Sequence, residues 1–302
     1  MPNLNSPTPE PASVAKRGAI AAFVAYFLWG TLPAYWKMLE GISVVELMAH
    51  RILWTLVAVM VFQTVRGRLP AVWATWRVAA NRRAHLRGGV MVTINWGVFV
   101  WALLNEQVIE ASLGYFLVPL LNAGLGRIIF HERLDRLQTI AMVLAAVGVA
   151  VLFTEVENMP WVSLGIAASW CTYGVGRKKS DASAINGLAL EMTYVAPLAL
   201  GYLAWLHSRG LGSFGAISGQ IDVTIAFTGV MSMIPLVLFA YGTRRLTYTT
   251  IGLLQYVAPT CQFLMGWLIF AEPLSQIRVA GFVLIWIGLV CYTVGTVKRN
   301  RS

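Results

Sequence analysis

Charged side chains are scarce in this sequence of 302 residues, since Asp, Glu, Lys and Arg together make up 12% of it. Typical soluble domains carry about 25%. Hydrophobic residues make up 58%, and the mean hydropathy is +0.67. So few charges cannot cover a water-soluble surface of this size, which excludes a cytosolic enzyme, a disordered chain and a fibrous repeat. The composition predicts an all-α integral membrane protein.

Motifs for several kinds of chemistry are also absent. The sequence has no GxxxxGKS/T phosphate loop, no HExxH zinc motif and no GxSxG nucleophile turn. Its three cysteines, Cys171, Cys261 and Cys291, lie in apolar runs without CxxC spacing, so we predict no disulfide and no metal site. We therefore predict a protein that is not an enzyme and has no cofactor.

The net charge of +10 does not indicate a nucleic-acid partner, because the basic residues occupy short gaps between long apolar runs. A helix needs roughly 20 apolar residues to cross the hydrocarbon of a bilayer. Ten windows approach this length: residues 19–39, 44–65, 89–105, 111–130, 137–153, 161–176, 185–206, 223–241, 249–270 and 277–297. The sequence thus predicts a polytopic protein with ten transmembrane helices.

The distribution of Lys and Arg predicts the orientation of these spans. With the N-terminus inside, nineteen of the 23 basic residues fall in cytoplasmic segments and three in outer ones, while Arg51 lies within a span. An excess of basic residues on one side is typical of the cytoplasmic side of multi-pass membrane proteins. We predict that both termini are cytoplasmic, with short tails at residues 1–17 and 298–302.

An internal repeat appears at an offset of 140 residues. The matched positions include Leu113 with Leu253, Pro119 with Pro259, Gly126 with Gly266 and Glu132 with Glu272. The offset equals five spans, an odd number, so the second copy is expected to enter the membrane upside down. Inverted repeats are typical of secondary transporters, whose substrate site lies between the two halves. We predict two five-helix domains, residues 18–154 and 155–297.

Motifs throughout the chain resemble those of the drug/metabolite transporter superfamily, in its EamA-type, RarD-like branch. They are residues 25–37 (AYFLWGTLPAYWK), 46–54 (ELMAHRILW), 95–96 (NW), 112–120 (SLGYFLVPL), 129–134 (IFHERL) and the echo 269–274 (IFAEPL). The resemblance covers residues 18–297. It implies two inverted five-helix repeats, an inner-membrane carrier, and export or exchange of small metabolites.

Ionisable residues inside a membrane are costly, so each is a candidate functional group. Glu46 and His50 are four residues apart and share a helix face, with Arg51 beside them. They form either a proton relay, with Arg51 holding an anionic substrate group, or a structural cluster in which Arg51 pairs with Glu46 or a neighbouring helix. Glu191 follows Glu46 by 145 residues, nearly the repeat offset. It is either a second coupling carboxylate, a side chain that reaches the inner membrane interface, or a partner of the basic residues 177–179.

Prolines and aromatic residues supply further candidates. The repeat-paired Pro119 and Pro259 are candidate hinges, because proline removes a helical hydrogen bond, although each can equally be a packing kink. The remaining candidates for substrate binding lie deeper than interfacial belts require, and are Trp29, Asn95, Trp96, Tyr115 and Tyr256. They either line a cavity or serve helix packing.

These observations predict a secondary active transporter that moves a small metabolite or drug-like molecule by alternating access, through export or proton/substrate exchange. Two alternatives stay open, a membrane enzyme or scaffold that acts on a lipid-soluble substrate, and an uncoupled channel. The expected partners are a small-molecule substrate and membrane lipids. The fifth span carries a stripe of small residues, which either packs within the fold or mediates a homodimer; its members are Ala141, Ala145, Ala146 and Gly148.

Overall fold

The computed structural model describes residues 12–104, 108–154, 160–268 and 275–299. All regular structure in these ranges is helical, in the order α1 (Ala12–Lys37), α2 (Val44–Val65), α3 (Leu69–Arg77), α4 (Ala79–Leu104), α5 (Val108–Ile129), α6 (Arg136–Phe153), α7 (Trp161–Lys179), α8 (Ala184–Ser208), α9 (Gly219–Thr243), α10 (Tyr248–Leu254), α11 (Val257–Leu268) and α12 (Gln276–Arg299). The predicted all-α class is therefore confirmed.

Six of these helices are long and apolar enough to span a membrane, namely α1, α2, α6, α8, α9 and α12. A shorter apolar stretch, Leu113–Ile129, lies in α5. Many large apolar side chains point away from the protein, such as Leu198 at 74% exposed and Val223 at 70% exposed. Helices that are apolar on their outer faces as well as inside are typical of proteins surrounded by lipid. The structure thus shows a multi-pass membrane protein, and the count of ten spans stays a prediction.

The predicted repeat is visible in the positions at which helices begin. Helices α2, α4, α5 and α6 start at residues 44, 79, 108 and 136, and α8, α9, α10 and α12 start at residues 184, 219, 248 and 276. Each pair differs by 140 residues, the offset found in the sequence. The register places Arg51 and Glu191 at the same position, the eighth residue of α2 and of α8. Glu46 corresponds instead to Asn186, so the near-repeat spacing of Glu46 and Glu191 was misleading.

Equivalent helices of the two repeats pack in opposite directions. At one end of the α2–α8 pair, Gln63 Nε2 donates a hydrogen bond to Asn186 Oδ1 at 2.6 Å. At the other end, Glu46 near the start of α2 binds Ser213, which follows the end of α8. The two helices are therefore antiparallel, as an inverted repeat requires.

Helices α6 and α12 correspond to the fifth predicted span of each repeat. They are antiparallel as well, and they contact each other along a row of small residues. A Cβ atom added to Gly148 would come within 2.7 Å of the Gly281 carbonyl oxygen, and one added to Gly288 would come within 2.8 Å of that of Ala141. Ala141 and Ala145 are buried there. This part of the predicted small-residue stripe therefore packs within the fold, while Ala146 points outward. The homodimer stays an untested prediction.

Contacts between the halves follow the same symmetry. The contact of α4 with α7 corresponds to that of α9 with α1, and the contact of α2 with α9 corresponds to that of α8 with α4. The contact of α5 with α7 likewise corresponds to that of α11 with α1. Exchange of the two halves thus reproduces the principal helix pairs, so the centre of the molecule is shared by both repeats.

One local prediction requires correction. The third predicted span begins at residue 89, yet the helix that contains it, α4, already begins at Ala79. The arginines Arg82, Arg83 and Arg87 are exposed, whereas His85 is buried on the opposite face. The first segment of α4 is therefore amphipathic, and it extends the helix beyond the apolar window that the sequence predicts.

Candidate functional site

Arg51 lies between three of the central helices and meets mainly neutral groups. Its Nε donates a hydrogen bond to the Ser232 Oγ of α9 at 2.7 Å. Its guanidinium carbon lies 4.2 Å from the ring centre of Trp96 in α4 and 5.7 Å from that of Trp36 in α1. One further contact reaches the Met48 sulfur at 3.9 Å. The cation is therefore held by a hydroxyl group and ring faces.

Asn95, next to Trp96, ties three helices together. Its Nδ2 donates to the Ile166 carbonyl at 3.0 Å and to Ser169 Oγ at 3.1 Å, both in α7. Its Oδ1 accepts a hydrogen bond from the Tyr115 hydroxyl of α5 at 3.2 Å. Four of the predicted substrate-binding residues, Arg51, Asn95, Trp96 and Tyr115, are thus in one region.

The two other aromatic candidates lie in different surroundings. Trp29 belongs to a buried aromatic cluster, with its ring centre 5.4 Å from that of Trp170 and 5.8 Å from that of Phe239. The Trp170 indole nitrogen is buried and has no hydrogen-bond partner among the described residues. Tyr256 is fully buried, and its hydroxyl donates to the Phe116 carbonyl at 3.4 Å. Tyr256 therefore contributes to the packing of α5 and is not part of the Arg51 region.

Glu46 and His50 share a helix face, as their spacing predicts, but Arg51 turns away from them. The His50 Nε2 is 3.9 Å from Glu46 Oε1. The Glu46 carboxylate accepts the Ser213 backbone N–H at 2.6 Å and its hydroxyl at 3.0 Å. The predicted trio therefore divides into a carboxylate–imidazole pair that holds the α8–α9 loop and a separate arginine.

Glu191 lies in the most elaborate polar network that the described residues form. It is completely buried and accepts a hydrogen bond from Arg177 Nη1 at 3.0 Å and from the Tyr173 hydroxyl at 3.0 Å. His85 Nδ1 lies 2.8 Å from the same carboxylate, and His85 Nε2 lies 2.9 Å from Ser180 Oγ. The carboxylate thus has an internal counter-ion, in agreement with the alternative in which it pairs with the basic residues 177–179.

Glycines make this network compact. A Cβ atom on Gly88 would come within 3.0 Å of Glu191 Oε1, and one on Gly187 would come within 2.0 Å of Arg177 Nη1 and 2.5 Å of His85 Cε1. The network therefore depends on close approach of α4, α7 and α8. His85 was not among the candidates taken from the sequence. Its spacing could have revealed it, because His85 lies three and four residues before Gly88 and Gly89, on the same buried face of α4 as these and later residues.

The two candidate hinges differ in local structure. Pro119 lies inside the continuous helix α5. Pro259 follows a break at residues 255–256, which separates α10 from α11. Around the break the Tyr256 and Ala258 amides bond three residues back, to Leu253 and Gln255. The repeat-paired prolines thus differ, because Pro119 lies in an intact helix of the first half and Pro259 lies beside a break in the second half.

Glu132 supplies a link between the halves at this broken helix. Its carboxylate accepts the Tyr248 backbone N–H, together with the Thr249 backbone N–H at 3.0 Å and the Thr249 hydroxyl at 2.8 Å. A carboxylate at a helix N-terminus satisfies free amides and complements the helix dipole. Its repeat partner Glu272 lies outside the described residues.

No group of three or more His, Cys, Asp or Glu side chains in the described ranges is placed to hold a metal ion. The three cysteines are free. The polar side chains converge instead on the helix contacts between the two halves. The fold and these contacts define a multi-pass membrane protein built from two antiparallel copies of one helical unit.

The chain belongs to the EamA-like transporter family, whose model matches residues 16–154 and again residues 159–294. It is similar to Protein RarD of Streptomyces exfoliatus, with 36% identity over 290 residues that cover 95% of this chain and 92% of the relative. It is also 35% identical over 290 residues to the "Uncharacterized transporter YojE" of Bacillus subtilis, covering 95% and 97% of the two chains. The RarD-like resemblance is therefore confirmed.

A solved crystal structure shares the fold, with a TM-score of 0.72. Its sequence is 21% identical, and the match covers 92% of this chain and 97% of that one. At this identity the likeness concerns the fold alone. The relatives support a membrane transporter of small molecules.

Proposed function

We propose that the protein is a secondary active transporter of the bacterial inner membrane that works by alternating access. In this proposal ten helices cross the bilayer and both termini are cytoplasmic. One observation carries it, the antiparallel packing of equivalent helices from two repeats around a shared centre. Such symmetry allows the two halves to exchange conformations, so that a central site opens to either side.

Substrate binds in this proposal near Arg51, Asn95, Trp96 and Tyr115. These residues come from α2, α4 and α5 of the first repeat, and Ser232 of α9 adds a contact from the second. A site that both halves contribute to changes shape when the halves move. A location between the two repeats is therefore better suited to a substrate site than a location within one repeat.

The topology is tested by single-cysteine labelling in a variant without the native cysteines. Asp181 and Arg209 are exposed and lie just beyond the two ends of α8. With cysteine at either position, a membrane-impermeant maleimide added to intact cells should label position 209 and spare position 181. Labelling of both positions from outside would contradict the proposed topology.

Transport itself is tested in proteoliposomes with a ¹³C-labelled bacterial metabolite extract, by mass spectrometry of the lumen. A carrier should show counterflow, in which unlabelled extract inside accelerates uptake of a labelled species. Rapid flux without counterflow would indicate the uncoupled channel. Chemical conversion of a lipid-soluble species without movement across the bilayer would indicate the membrane enzyme.

Coupling to protons is proposed to involve Glu46 and His50, since the partners of Glu191 favour a structural role for that carboxylate. We expect Glu46→Gln to abolish uptake driven by a pH gradient while counterflow persists, because the amide cannot release a proton. The exposed Glu40→Gln serves as the control variant. Unchanged pH dependence in Glu46→Gln would remove Glu46 from the coupling mechanism.

A further inference from the structure

Three acidic groups at the contacts between helices have partners within the protein: Glu46 and Glu191 are buried, and Glu132 is half-buried. Glu191 has Arg177 as its counter-ion. Glu46 and Glu132 accept backbone N–H groups and hydroxyl groups. Each carboxylate is therefore stabilised in the way that a buried charge requires.

Arg51 is the exception among the helix-embedded charges that the structure describes. No described carboxylate forms an ion pair with it. Among the described residues its one oxygen partner is Ser232, whose hydroxyl accepts from Nε, and no oxygen acceptor in this part of the chain meets the paired Nη groups. A guanidinium carries five donors in a planar fork. The side chain thus retains donors that match both oxygens of a carboxylate.

The internal repeat allows a direct comparison of Arg51 with an acidic residue that has a counter-ion. Arg51 and Glu191 occupy equivalent positions in α2 and α8, with opposite charges. The second repeat provides a permanent partner of opposite charge at its position, whereas the described part of the first repeat provides none. A charge inside a membrane helix is costly unless a group of opposite charge accompanies it, so Arg51 is a candidate for binding such a group from outside the protein.

We propose that the transported substrate is a small organic monoanion, whose carboxylate-type group pairs with Arg51; this inference rests on the proposed transport function. A single negative charge neutralises the single uncompensated positive charge. Trp96 and Trp36 lie against the guanidinium and offer apolar ring surfaces beside the anionic group. The substrate therefore combines a monoanionic group with a flat or apolar body.

The test uses the proteoliposome assay with ¹³C-labelled bacterial metabolite extract, and sorts the protein-dependent species by charge at pH 7. We expect monoanions to dominate in the wild type. Arg51→Gln should reduce their uptake about tenfold to hundredfold, the range expected for loss of a hydrogen bond to a charged group. Arg51→Lys should retain part of the uptake, since it keeps the charge but not the fork.

Arg66→Gln is the matched control, because Arg66 is an exposed arginine at the end of the same helix. It should leave uptake unchanged. Size-exclusion chromatography establishes that the variants are folded, and Arg51→Lys keeps the test valid if Arg51→Gln is not. Neutral or cationic transported species, or monoanion uptake that is insensitive to both Arg51 variants, would overturn this inference. Absence of any protein-dependent movement in the wild type would instead overturn the proposed function.

Discussion

The second helices of the two repeats each carry a charge among the central helices, and the two charges have different surroundings. Both α2 and α8 carry a charge at their eighth residue, Arg51 and Glu191. Glu191 is completely buried and has an arginine, a histidine and a tyrosine around its carboxylate. Arg51 is half-buried and has one hydroxyl group and two indole rings.

The surroundings of the two side chains distinguish a structural charge from one that is available to a ligand. A buried ion pair has already lost its water, and each partner depends on the other. A charge held by ring faces and one hydroxyl keeps the capacity to bind a ligand. We therefore interpret the Glu191 network as a fixed junction of α4, α7 and α8, and the Arg51 region as the part of the centre that meets substrate.

The largest expected effect comes from breaking the Glu191 network. Arg177→Gln leaves the Glu191 carboxylate buried without a counter-ion and should destabilise the protein by about 3–5 kcal/mol. Thermal unfolding of the purified protein in detergent measures the change. The double variant Arg177→Gln with Glu191→Gln should recover much of the loss, because no charge is left unpaired. Equal losses in the single and double variants would mean that the ion pair is not the source of stability.

A much smaller change in stability is expected at the equivalent position. Arg51→Gln removes a cation on which no described carboxylate depends, so unfolding should shift by about 1 kcal/mol or less in the same measurement. Transport should fall sharply nevertheless, as inferred above. A loss of stability similar to that of Arg177→Gln would show that Arg51 has a hidden structural partner, and the contrast between the two helices would disappear.

The smallest expected effect distinguishes the two prolines. Pro259→Ala gives α11 a backbone donor beside the break that separates it from α10, so it should extend the helix across residues 255–256 and slow counterflow a few-fold. Pro119→Ala, inside the already continuous α5, should change the rate less. Initial rates of counterflow at saturating extract compare the two variants. A larger effect of Pro119→Ala would assign the moving element to the first repeat.

Much of the fold follows from periodicities that the sequence displays. The offset of 140 residues, found from matches such as Pro119 with Pro259, reappears in four pairs of helix starts. Depth within an apolar window also marks Arg51, Asn95, Trp96 and Tyr115 as candidates. It does not separate them from Trp29 and Tyr256, whose contacts lie elsewhere. Hydrophobic runs and repeat offsets are properties of the chain itself, so the sequence alone reveals them.

The pairing of polar groups could not be predicted in the same way. His85 lies in a segment with three exposed arginines, and only its position on the helix shows that it faces Glu191. The bond from Glu46 to Ser213 spans 167 residues, so local spacing suggested Arg51 and His50 as partners instead. The break before Pro259 could not be predicted from the sequence either, because the repeat-paired Pro119 lies in a continuous helix.

The carboxylate of Glu132 has a consequence for biosynthesis. It caps the first turn of α10, which follows it by 116 residues. Synthesis proceeds from the N-terminus, so the acceptor is made long before the amides that it will bind. The carboxylate that caps the broken helix is therefore already part of the chain before any residue of that helix is synthesised.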